Sequence, residues 1–241
     1  MADLLVLMRR LGAAEGVVRT AVSRLARDGW LDRHRMGRNS FYRLPPVREA
    51  EFRAAAPRIY QRPDPVWHGG LLLAWPGPER RALEDAGWAV CAPGVLMAPD
   101  GTAPPREGML HLHATGSLSA MQTLAGRVWP LQRIDAAYAR FVEVFASLVP
   151  DVLPPLDALA ARVLLLHEHR RIALRDPGLP KPMLPDDWHG AEAWYLCETL
   201  YQALAPASEQ WLDTVLTRSG PLPHGPDPAF RFSDGGNTPT A

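Results

Sequence analysis

The sequence predicts a mixed α+β chain of several domains, and three observations predict it. Between Ala13 and Leu44 a helical apolar period gives way to two short strand-like runs around a glycine. From Trp67 to Arg127, strand-like and helix-like stretches alternate in β-α-β-β-α order. From Leu131 to Arg218 helical spacing prevails.

The organising stretch is Ala13 to Leu44. Glu15 to Asp28 fits a helix, with Val18, Val22 and Leu25 on one apolar face and Gly29 as its stop. Turned away from that face are Arg19, Thr20, Ser23, Arg24 and Arg27, cationic or hydrogen-bonding and nearly free of acids. Trp30 to His34 and Asn39 to Leu44 read as strands joined through Arg35-Met36-Gly37-Arg38, where Gly37 supplies the positive φ of a tight turn. Met1 to Leu11 is a short amphipathic helix, and Gly12 marks the turn after it. This is the layout of a winged helix-turn-helix, whose second helix enters the major groove while the hairpin lies along the backbone or in the minor groove. An arginine-rich helix face is usually only a solvated face; here the preceding helix and the following basic hairpin favour DNA. Such a motif needs a third helix to close its core. Either the start site is set too late or another part of the molecule covers the exposed face, and the first reading is favoured.

After the hairpin, Pro45-Pro46 ends the strand, and Val47 to Tyr60 reads as a helix with Phe52, Ala55, Ala56 and Ile59 as its stripe. Gln61 to Pro65 is a stiff linker. Trp67–Trp75 is a strand, Pro78–Ala86 a helix, and Trp88–Met97 a strand broken by Pro93-Gly94. Met109–Ala114 alternates as a strand, and Ser117 caps a helix to Arg127. With a closing strand expected around Val128, the order suggests a ferredoxin-like sandwich. Ile134–Leu148 carries Tyr138, Phe141, Val142, Phe145 and Val149 at helical spacing. Leu156–Leu174 follows, with Leu159, Val163, Leu166 and Ile172 inward. A proline-punctuated connector, Arg175–Trp188, leads to helices Gly190–Ala205 and Ala207–Arg218. The expected division is a DNA-binding head with its linker helix over 1–62, a central domain over 63–130, a helical domain over 131–218 and a disordered tail over 219–241.

Formal charge is zero over 241 residues, but it is unevenly spread. Residues 1–62 hold thirteen arginines against six acids, a net of +7, whereas residues 131–218 carry a net of −4. A basic front on an acidic body suits a polyanion-binding head. Cys91 and Cys197 are too few for a disulfide scaffold, and no His/Cys spacing suggests zinc, so no metal or cofactor is expected. Leu4 to Met8 is too short for a leader or a spanning helix, so the chain is expected to be cytoplasmic, with no membrane partner.

Four stretches carry a resemblance covering about residues 4 to 218. The first is Gly16–Leu31 running on to Arg35–Leu44, and the second is Arg58-Ile59-Tyr60 with Trp67-His68-Gly69. The third is Trp129 with Tyr138-Ala139-Arg140-Phe141. The most specific is His167-Glu168-His169-Arg170-Arg171 through Arg175–Pro180 to Leu184–Ala193. In these the sequence resembles PaaX-type transcriptional regulators, repressors of phenylacetate catabolism. The resemblance implies a homodimeric, non-enzymatic repressor with a winged-helix head, a Cas2-like central domain and a helical C-terminal domain. It further implies that phenylacetyl-coenzyme A or a related aryl-CoA is the effector that releases the operator DNA. Two departures stand out: the family's first DNA-binding helix is missing, and Ala14 stands where the family tends to have Ser at the recognition-helix N-cap.

Arg19, Thr20, Ser23, Arg24 and Arg27 are the candidate base-edge and phosphate contacts; Arg35, Arg38 and Asn39 are candidate phosphate or minor-groove contacts. His167 and His169 are separated by a single residue and cannot share a helix face, which argues against a shared metal. Two readings of that segment stand. One is a buried polar network holding the connector, with Asp176 as partner of Arg170 or Arg171; the other has His167, Arg170 and Arg171 meeting the phosphates of coenzyme A. Cas2-like folds can be metal-dependent nucleases, but the first central strand ends Leu73-Ala74-Trp75-Pro76 without an acid, so a nuclease is disfavoured. The remaining alternative is an acyl-CoA sensor or protein-binding module without DNA binding.

Overall fold

A computed structural model of the chain describes residues 1–36, 39–61, 67–101, 109–219 and 232. It is a mixed α+β structure with two small antiparallel sheets. The chain forms two compact units: one of residues 1–61, 145–170 and 195–241, the other of 62–144 and 171–194.

The first unit begins with α1 (Ala2–Arg10) and α2 (Glu15–Arg27), then the hairpin β1 (Asp32–Met36) and β2 (Asn39–Arg43), then α3 (Pro46–Tyr60). Both leading helices stop at a glycine in the left-handed region, Gly12 at φ +80° and Gly29 at φ +72°. Beyond each glycine an amide reaches back across the last turn, Ala13 to Met8 O (2.8 Å) and Trp30 to Leu25 O (2.8 Å). These bonds satisfy carbonyls the helices leave open. Leu5, Val18 and Val22 form the small core, with Met1, Met8, Ala13, Leu31 and Tyr42 packed around it. Leu25, expected in that core, shares the face of Val18 and Val22 but stands near the C-terminal end of α2 and is 41% exposed. No residue of α3 is fully buried.

The unit also holds most of two long helices, α7 (Pro155–Ala173) up to Arg170 and α8 (Gly190–Ser219) from Tyr195 on. Pro206 was expected to separate two helices, but α8 runs through it. The fully buried Ser208 donates to Leu204 O and Ala205 O, which anchors the turn on either side of the proline. Val163, which helical spacing places inward, is exposed.

The second unit is built on β3 (Gly70–Ala74), β4 (Ala89–Ala92), β5 (Val95–Pro99) and β6 (His111–Thr115), in spatial order β4-β5-β3-β6, each neighbour antiparallel. Pro93-Gly94 does not break one strand; it turns a hairpin between two, with Ala92 facing Val95 and Gly94 at φ +77°. Proline then glycine in the two central positions is the chemistry of a type II turn. The closing strand expected near Val128 is absent: Val128 ends α5 (Leu118–Val128), and the strand beside β3 comes before that helix, not after it.

Strand alternation sends Leu71 and Leu73 to one face and Leu72 and Ala74 to the other. The first face packs with Met97, with Met121 and Ala125 of α5, and with Trp129, Leu179 and Met183. The second packs with Leu96, Ala98, Trp88 and Leu83 of α4 (Arg80–Asp85). Asp100 fixes the entry to β3: its carboxylate accepts the amides of His68 (2.9 Å) and Gly70 (3.0 Å) and meets His113 Nε2 at 3.2 Å. Burial alone would raise its pKa, but these donors outweigh burial and hold it below the usual carboxylate range. Helix α6 spans Leu131–Phe145 and buries Leu131, Ile134, Tyr138 and Phe141; Val149, expected on its stripe, lies beyond its end and is exposed.

The connector is pinned by polar contacts. Tyr138 donates its hydroxyl to Asp176 Oδ2 (2.9 Å), and the other oxygen of this buried carboxylate takes the Gly178 amide (2.8 Å). At the start of α8, His189 donates its amide to Asp135 Oδ1 (2.8 Å) with its ring beside the same carboxylate.

Candidate nucleic-acid interface

The head displays its cations because α2 has only one buried stripe. At about 100° per residue, Val18 and Val22 set the inward direction, and both are nearly inaccessible. Opposite them Thr20, Ser23, Arg24 and Arg27 fall within a sector about 100° wide, all exposed. Arg19 is exposed as well but sits on the flank, where it donates Nε (2.9 Å) and Nη2 (2.6 Å) to Glu15 Oε1. That pairing pulls the Glu15 carboxyl below its ordinary range.

The outward face is less acid-free than its composition suggests. Asp28 stands at its C-terminal end, 3.7 Å from Arg24 Nε and 3.3 Å from Arg27 Nε. Thr20 turns its hydroxyl back to Gly16 O at 2.8 Å. The free protein thus holds its arginines on weak surface partners that a phosphate could replace.

The hairpin pairs Asp32 with Arg43 through to Met36 with Asn39. Arg35 is exposed and opposite Ser40. Arg33, not singled out in the sequence, donates to Ser40 Oγ from Nε (3.3 Å) and Nη2 (3.0 Å) and is a further exposed cation of the hairpin. The expected contact Arg38, the turn residue Gly37 and the side chain of Asn39 lie outside the described residues.

Beside the arginine sector lies an open depression of about 600 Å³ lined by Val17, Ala21, Leu25 and Trp30 with Gly16, Thr20, Arg24 and Asp28. Val17 is 66% exposed, and the Arg48 guanidinium lies 3.9 Å from the Trp30 ring centroid. Arg10, near the end of α1, is bound through Nε and Nη2 to both oxygens of Asp157 on α7. The pair lowers the Asp157 pKa and raises that of Arg10. Sequence spacing could not have found it, since the partners are 147 residues apart.

In the second candidate site, His167, Arg170 and Arg171 are all exposed on α7, whereas His169 is buried. The two histidines thus occupy different faces of the helix. Burial pushes the His169 pKa down to about 4. Two turns earlier on the same face of α7 lies another buried polar side chain, Arg162, which the sequence did not flag. It donates Nη1 to Ser208 Oγ (2.7 Å) and Glu209 Oε1 (2.5 Å), and Nη2 to Tyr201 OH (2.7 Å).

Comparison with known proteins gives concordant matches. The family model described as PaaX-like protein matches residues 1–46, and that described as PaaX-like protein C-terminal domain matches residues 129–214. A curated relative, the transcriptional repressor PaaX of Escherichia coli (strain K12), is 33% identical over 236 aligned residues, covering 86% of this chain and 75% of the relative. Among solved structures, an uncharacterized protein from Mycobacterium tuberculosis, Rv0674, superposes with a TM-score of 0.58 at 24% identity, covering 87% of this chain and 89% of the other. That likeness concerns the fold alone.

Proposed function

Since this chain belongs to the PaaX family of transcriptional regulators, we propose that it is a DNA-binding repressor of aromatic catabolic genes, released from its operator by an aryl-CoA such as phenylacetyl-CoA. The observation that carries the DNA reading is the outward sector of α2. Thr20, Ser23, Arg24 and Arg27 are exposed together while Val18 and Val22 are buried beneath them. Arginine can hold guanine in two hydrogen bonds and phosphate in the same fork. In this reading residues 1–62 are a winged helix-turn-helix, with α2 in the major groove and Arg35, Arg38 and Asn39 of the hairpin on the backbone or in the minor groove.

The central sheet supports a ferredoxin-like, Cas2-like relation through its spatial strand order, with the outer strand β6 drawn from ahead of α5. It serves as the scaffold of a homodimer, which lets two heads meet a two-fold operator. The helical part is the effector module, and the exposed cations Arg170 and Arg171 with His167 are suited to the phosphates of coenzyme A. Binding of the effector must favour the DNA-incompetent arrangement of heads over the competent one. Neither part calls for enzymatic chemistry, and the protein is read as cytoplasmic. No helix among the described residues is long and apolar enough to cross a membrane.

A mobility-shift titration on a palindromic operator, with and without phenylacetyl-CoA, tests the proposal. A shift that the CoA ester abolishes is the expected result. No shift, with heat of CoA binding still measurable by calorimetry, would instead mark an acyl-CoA sensor without DNA binding. In the same calorimeter Arg171→Ala is expected to weaken phenylacetyl-CoA binding, and undiminished affinity would remove Arg171 from the effector site.

A further inference from the structure

The stretch from Gly220 to Ala241 is rich in proline and glycine and poor in large apolar residues. Composition alone gives it nothing to pack with. Yet Phe232 is only 3% exposed. Its ring stands edge-on to Tyr60 (centroids 5.2 Å apart, planes at 88°) and tilted against Tyr201 (5.2 Å, 53°). Both are arrangements that aromatic quadrupoles favour. Tyr60 is the last residue of α3, and Tyr201 belongs to α8.

We propose that Phe232 is a latch on its own chain: it closes an aromatic socket formed by Tyr60 and Tyr201 and thereby ties the helix that follows the hairpin to α8. Two further features support this. The Tyr201 ring is held in place by Arg162, which donates to its hydroxyl at 2.7 Å and places its guanidinium 4.4 Å from the ring centroid. Arg162 is itself buried and braced by Ser208 and Glu209, so this socket wall is held independently of Phe232. The other wall is not rigid: α3 has no fully buried residue, and its apolar Val47 and Phe52 are 70% and 46% exposed. A helix so thinly packed takes much of its restraint from contacts at its ends. Arg162 is therefore a positioning residue for the socket, and Phe232 is the bolt. The inference does not depend on what the head binds.

Limited proteolysis of the full-length chain tests the docking. Chymotrypsin, which cuts after accessible phenylalanine, is expected to cleave the Phe232–Ser233 bond at least tenfold more slowly in the protein than in a free peptide of residues 226–238. Tyr60→Ala should bring the two rates together. Equal rates in the unmutated protein would overturn the latch. Hydrogen exchange on full-length Phe232→Ala tests the coupling and leaves both socket walls intact. Amides of residues 55–61 are expected to exchange several-fold faster while those of 70–74 in β3 stay as they were. Unchanged exchange at 55–61, or an equal rise in β3, would also overturn it; the latter would make Phe232 a general packing residue.

Discussion

Arg24 and Arg27 each keep 74% of their side-chain surface accessible while sharing the single carboxylate of Asp28. Surface pairs of this kind are worth about 0.2–1 kcal/mol, little enough for DNA phosphates to displace. Asp28→Asn is therefore expected to tighten operator binding by roughly two- to fivefold, read by fluorescence anisotropy at low salt. Weaker binding would mean that Asp28 organises the arginines instead of competing for them. Arg24→Ala should cost about 1–3 kcal/mol and relax discrimination at one base position if Arg24 reads a base edge. A loss equal across all single-base operator variants would make it a phosphate contact. The i,i+4 spacing of Arg24 and Asp28, like that of Glu15 and Arg19, is legible in the sequence. Reading only the outward face left those acids out of account.

His169 has a different consequence. Its pKa is held at about 4 by burial, against about 6.5 for an unfolded chain. A depressed histidine favours the folded state in full above pH 6.5, and its contribution falls away as pH drops toward 4. Melting temperature should decline through that window. His169→Leu should flatten the decline, and a variant that melts with the same pH dependence as the parent would place the acid sensitivity elsewhere.

At the level of elements, α2 starts without a side-chain cap: Ala14 has extended backbone angles (φ −67°, ψ 140°) suited to Ser, but offers no oxygen. Ala14→Ser should stabilise the head by about 1 kcal/mol, visible as a higher melting temperature or slower amide exchange in α2. No change would indicate that another group already satisfies the first-turn amides. By contrast Ser117 does cap α5, accepting the Ala120 amide at 3.3 Å, as its type and place in the sequence predict.

The two leading helices and the hairpin are legible because Val18 and Val22 keep the helical period and Gly12 and Gly29 stop their helices at positive φ, where a Cβ is poorly tolerated. At Pro93-Gly94 the sequence is ambiguous for a local reason. The same dipeptide that interrupts one strand also suits a two-residue turn, and only the partner strand decides between them. Pro206 posed the opposite problem, since tertiary packing around buried Leu204 and Ser208 outweighs its helix-breaking tendency. Arg162 was illegible altogether, because its partners are 39 to 47 residues away.

For the molecule as a whole, a net charge of zero conceals the +7 of residues 1–62. Affinity for DNA responds to the local charge. With about five phosphate contacts the logarithmic salt slope is about −4.5, and operator affinity should fall about 500-fold between 50 and 200 mM salt. A slope near zero would remove the phosphate contacts from the account. Arg38→Ala should lower its magnitude by about 1, and an unaltered slope would count against a wing contact.

The first compact unit takes residues 1–61 from the beginning of the chain and 195–241 from its end. During translation the helix–hairpin segment therefore leaves the ribosome well before the residues that complete its unit exist. At translation speeds of roughly 5–20 residues per second, the 133 residues between positions 61 and 195 impose a wait of roughly 7–27 s. For that interval Tyr60 must wait without Phe232, its ring partner, a natural moment for chaperone capture.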